Sequence, residues 1–152
     1  MPEKDEAAAG SEPERLAQRV RDELAAAGLP LAMPGLAPEL AVGAEVRVDR
    51  WGEYFHSEAP QVVVGRSVSP QLRMSAGSAL QRGQIDHPAI RQQGEAMIAM
   101  ADAVVAILGA AGFTAVHRNN DLSPFDIRVV SGPDTRALPS WAPVNEKEND
   151  HS

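Results

Sequence analysis

Apolar residues recur at three- and four-residue steps through Ile90, Met97, Ile98, Ala101, Val104, Val105 and Leu108, which places them on one face of a helix. A second stripe, Ala96, Met100, Ala103, Ile107 and Ala110, runs along another side of the same segment. The spacing predicts a helix from about residue 88 to about residue 111. Asp86 is the expected N-cap, Pro88 stands early where its missing N–H does no harm, and Gly112 supplies the left-handed stop. A helix that is apolar nearly all round is normally covered on most sides. Either the remainder of the chain covers both stripes, or a partner covers Met100 and Ile107. The polar residues Arg91, Gln92, Gln93 and Glu95 interrupt its first half, which argues against a bilayer span.

The other elements follow from shorter patterns. Ser11-Glu-Pro-Glu14 is a capping-box pattern, and Leu16, Val20 and Leu24 form the apolar stripe of a surface helix that stops at Gly28, with Arg15, Arg19, Arg21, Asp22 and Glu23 on its other face. Residues 29–43 hold Pro30, Pro34 and Pro38 among leucines, which predicts an irregular apolar lid or a linker that needs a partner. Alternation over 44–50 predicts a strand with Val46 and Val48 facing inward and Glu45, Arg47 and Asp49 facing water. Gln61–Arg66 is the expected return strand after an aromatic-rich connection. Ser67 to Gln84 is rich in Ser, Gly and Gln and predicts a basic loop. Residues 113–118 and 125–130 predict a second hairpin around the turn-forming run Asn119–Pro124.

The order is therefore helix, hairpin, helix, hairpin. Its simplest closure is an α+β domain with one four-stranded, mostly antiparallel sheet and the long central helix packed on one face. Residues 1–10 are expected to be a disordered tail and 11–132 a single domain. Residues 133–152 are expected to be a disordered Pro-rich and acidic tail, from which Trp141 folds back or binds something.

Composition narrows the function classes. The 152-residue chain has 43% hydrophobic and 4% aromatic residues, so its core rests on aliphatic side chains. It has no cysteine, which excludes disulfides, thiolate metal sites and a cysteine nucleophile, and agrees with a cytoplasmic location. No secretion signal is read at its start. The net charge of −7 disfavours wholesale binding to a phosphate backbone. Arg66, Arg73 and Arg82 nevertheless fall between Glu58 and Asp86, a stretch with no acidic residue, and with Arg91 they are candidate anion contacts.

Three further groups carry candidate chemistry. Trp51, Tyr54 and Phe55 in the first connection are candidate protein contacts, as are Met100 and Ile107 on the helix. Glu53, His56 and Glu58 are metal-ligand types, but their spacing fits no metal motif and a solvated loop is expected. His117, Asp121 and Asp126 gather at the second hairpin, where a histidine base with an aspartate orienter is conceivable. Neither G-x-S-x-G nor H-E-x-x-H is present, and an exposed His117 paired with Asp126 is the cheaper account. No metal and no cofactor are expected. The sequence thus points to a small non-catalytic binding or assembly protein that buries apolar surface against a second copy or a protein partner. The alternatives are a nucleic-acid- or nucleotide-binding accessory protein using residues 66–84, and a small enzyme using His117 and Asp121.

Overall fold

A computed structural model describes residues 12–33, 42–49, 61–117 and 126–143. Helix α1 spans Glu12–Ala26, β1 Gly43–Asp49, β2 Gln61–Ser67, α2 Pro70–Gln81, α3 Pro88–Ala110, β3 Thr114–His117 and β4 Ile127–Ser131. The strands form one sheet in the order β1-β2-β4-β3, and every neighbouring pair is antiparallel. This is the α+β architecture that the element order implied. The expected tail at 1–10, residues 34–41 of the expected lid over 29–43, the aromatic connection, the turn Asn119–Pro124 and residues 144–152 of the expected C-terminal tail lie outside the described residues.

Register decides which side of the sheet is covered. Val46 stands opposite Val64, Val48 opposite Val62, and Val62 opposite Val129. Side chains alternate along a strand, so these residues share one face. Against that face pack Ala17, Val20 and Leu24 of α1 and Ala101, Val104 and Leu108 of α3, with Phe113 at the end of the helix. Valine dominates the strands because its branched Cβ suits the pleat and fills the inner layer in few rotamers. Gly43 begins β1 at φ +95°, and a Cβ there would collide with the Pro30 carbonyl. That close approach lets Ala44 N–H donate to Pro30 O at 2.9 Å and seats Leu31 beside Ala44.

The opposite face is polar at its rim. Arg47 donates to Asp126 across β2 at 2.8 Å, and Gly65 lies beneath the bridge. A Cβ at Gly65 would stand 3.2 Å from Arg47 Nη1 and 3.4 Å from Asp126 Oδ1. Val63 is fully buried on this face, between Arg47 and Arg128 in the register.

Three expectations need correction. The basic loop expected over 67–84 is largely helix α2. Ser69 is its N-cap and accepts from Leu72 N–H at 3.3 Å, and Pro70 stands in the first turn. The cap of α3 is His87, not Asp86; its Nδ1 accepts from Ala89 N–H at 3.1 Å. Pro88 opens the helix, so the capping position falls on the residue directly before it. Residues 133–143 are not a loose tail: they lie against α1 through Arg19 and Trp141.

Candidate interaction surface

Helix α3 has two unlike halves. Its C-terminal half is built into the core through Ala101, Val104 and Leu108. Its N-terminal half pairs with α2 instead, and the buried residues of that pair are alanines: Ala76 and Ala79 on α2 and Ala89 on α3. Small side chains bring two helices close but bury little apolar area. None of the α2 residues joins the core cluster. The α2–α3 hairpin is thus an annex in which Leu72, Ile90 and Met97 are half-buried and four other large apolar side chains are exposed. Met74 is 71% exposed, Leu80 56%, Ile85 74% and Ile98 52%.

One line of α3 is open along its whole length: Arg91, Glu95, Ile98, Asp102, Ala106 and Gly109, three or four residues apart, are all exposed. The stripe of Ala96, Met100, Ala103 and Ile107 is half-buried, so it forms a flank of the helix and not its open side. Ile107 packs against the core cluster and lines a groove toward α1, and Met100 is half-buried as well. The exposed apolar residues of α2 were not legible while that segment read as a loop. Ile98 belongs by spacing to the stripe of Ala101, Val104 and Leu108, yet it is exposed where those three are buried. Trp51, Tyr54 and Phe55 lie outside the described residues.

The four candidate anion contacts do not line one cleft. Arg66 is buried on the inner face of β2, and its Nε donates to the Met97 carbonyl at 2.9 Å. Burial lowers its pKa from the usual arginine value, and the charge of Asp126 works in the other direction. Arg66 therefore pins the middle of α3 to the sheet. Arg73 is half-buried on α2, and Arg82 is exposed nine residues later, about 13 Å along the axis. Arg91 is exposed and lies 3.5 Å from Glu95. Arg82 shares a cleft of about 330 Å³ with Ser75, Ser78, Gln84 and His87, and none of the other three lines it.

The histidine–aspartate pair expected at the second hairpin is not assembled. His117 Nε2 lies 3.4 Å from Asp102 of α3, whereas Asp126 pairs with Arg47. Strand alternation explains the split, because His117 stands opposite Ile127 and Asp126 is the residue before it, facing the other way. Asp121 lies outside the described residues, as do Glu53, His56 and Glu58. Among the described residues no three His, Asp or Glu side chains gather as metal ligands.

Two polar residues that the pattern of α1 left on its solvent side are buried. Arg19 Nε donates to Glu23 Oε1 at 3.2 Å, and Arg19 Nη1 donates to the Ala137 carbonyl at 2.6 Å. Trp141 Nε1 donates to Glu23 Oε2 at 2.9 Å. The isolated tryptophan was the one sequence signal for this contact. No protein-family model, no curated protein and no solved structure matches this chain, so its function is read from this geometry alone.

Proposed function

We propose that the protein is a small non-catalytic binding or assembly protein of the cytoplasm. It buries the open side of the α2–α3 hairpin against a second copy of itself or against a partner protein. One observation carries the reading. Helix α3 is long and apolar enough to cross a membrane by length and composition, yet only 17% of its most apolar 18-residue stretch is buried. Ala101, Val104 and Leu108 commit the helix to this domain's core, so what covers the rest must fit around a folded protein. Met74, Leu80 and Ile85 are exposed between the start of α2 and the start of α3, with Ile98 further along α3, and large exposed apolar surface marks interaction sites.

Light scattering on the purified chain at micromolar concentration tests the reading, together with capture of partners on the immobilised chain. The expected result is a mass above one chain, or a captured protein, that is lost in the double variant Ile85→Asp with Ile98→Asp. Both positions are exposed, so the variant is expected to fold. A single-chain mass with no captured protein refutes the proposal. Saturable, salt-sensitive binding of labelled RNA or DNA, lost on Arg73→Ala with Arg82→Ala, would instead favour the nucleic-acid reading.

A further inference from the structure

The groove between α1 and α3 lies at the other end of α3 from the exposed residues of α2, and the inference drawn from it does not depend on the reading above. The chain leaves β4 at Ser131 and passes Gly132, where any Cβ would strike the Phe113 ring. From there residues 133–143 run without helix or strand. They are shaped by local bonds: Ala137 N–H donates to Asp134 O and Ala142 N–H to Pro139 O, each at 3.0 Å.

Two side chains one helical turn apart on α1 hold this arm. Arg19 takes its main-chain carbonyl at residue 137, and Glu23 takes the indole N–H at residue 141. Both are buried, and their mutual ion pair fixes the two contacts relative to each other. Arginine to carbonyl and indole to carboxylate are charge-assisted bonds, directional and stronger than neutral ones. Together they specify a peptide that offers a free carbonyl four residues before a tryptophan.

The arm does not fill its seat. Trp141 is 50% exposed and Leu138 79%, whereas the core residues are nearly sealed. A groove of about 310 Å³ stays open beside Trp141, walled by Ala26, Ala27, Ile107, Ala110 and Ala111. Alanine walls with one isoleucine make a shallow, accommodating channel.

We propose that the α1–α3 groove is a docking site for a tryptophan-bearing peptide segment, and that residues 133–143 are its resident occupant, displaced by an incoming segment of the same chemistry. A tethered occupant competes at an effective concentration of the order of millimolar, so the intact chain masks its own site.

The test uses the full chain and a fluorescein-labelled synthetic peptide with the sequence of residues 133–143. Anisotropy titrations compare the native chain with Trp141→Ala, whose arm has lost its anchor. The expected result is saturable binding to Trp141→Ala, at least about tenfold tighter than to the native chain, and abolished when the peptide's tryptophan is replaced by alanine. Should Trp141→Ala fail to give a native circular dichroism spectrum, Trp141→Phe takes its place, since it keeps the apolar body and loses the donor. No binding to a folded variant, equal binding to variant and native chain, or binding indifferent to the peptide's tryptophan overturns the proposal. In each of those cases the arm is packing and nothing more.

Discussion

The division of α3 into a core half and an open half makes a quantitative contrast between two positions ten residues apart. Leu108 is fully buried in the cluster that contains Val20, Leu24 and Phe113. Leu108→Ala removes three carbons, worth about 2.4 kcal/mol at about 0.8 kcal/mol each. The cavity left behind raises the cost to about 3–5 kcal/mol, because a sheet and two helices meeting at one point relax only in part. A domain of this size is stable by about 5–15 kcal/mol in total. The melting temperature should therefore fall by roughly 6–20 °C. Ile98→Ala removes the same number of carbons from a side chain that is half exposed. On an isolated chain it should cost about 0.5 kcal/mol or less. Urea denaturation followed by circular dichroism measures both, and the slope with denaturant should stay constant. If α3 is also an assembly surface, Ile98→Ala should in addition abolish any dependence of the melting temperature on protein concentration. A loss below 1 kcal/mol for Leu108→Ala, or equal losses for the two variants, would refute the assignment of inner and outer sides.

Two other expectations concern local devices. His87→Ala removes the acceptor that caps α3 and should cost about 1 kcal/mol, with faster amide exchange confined to the first turn of that helix; His87→Asn should restore most of the loss. Gly43→Ala forces a side chain into a left-handed backbone position and against the Pro30 carbonyl, so it should destabilise by roughly 1–3 kcal/mol in the same urea assay. An unchanged midpoint would show that the contact between residues 30–32 and β1 is dispensable.

The parts of the fold that bury a stripe of large side chains were legible in the sequence. Leu16, Val20 and Leu24 gave α1, Val46 and Val48 gave the inner face of β1, and the run to Leu108 gave α3 with its stop at Gly112. Helix α2 was not legible, because the face it buries is made of Ala76 and Ala79 and it meets only another helix. Its one clear signal was the Ser69-Pro70 pair, a cap followed by a first-turn proline, with Gly83 in the left-handed conformation just past its end. The exposed line of α3 was not legible for the same reason. Which stripe of α3 faces outward depends on where α2 lies, and periodicity cannot tell two apolar stripes apart. Arg19 and Glu23 read as solvent-facing because their burial comes from a segment 118 residues away.

The strand order has a consequence for how the chain reaches this state. Each hairpin closes locally, but the sheet is completed only when β2 finds β4, and Val64 pairs with a residue 63 positions later, Ile127. At a synthesis rate of about 5–20 residues per second, that interval lasts roughly 3–13 s. During it β2 presents a bare valine-rich edge, the kind of template on which foreign strands assemble. Helix α3 emerges within the same interval, so its early docking onto Val62 and Val64 would shield the nascent hairpin on one face, leaving β4 to seal the edge last.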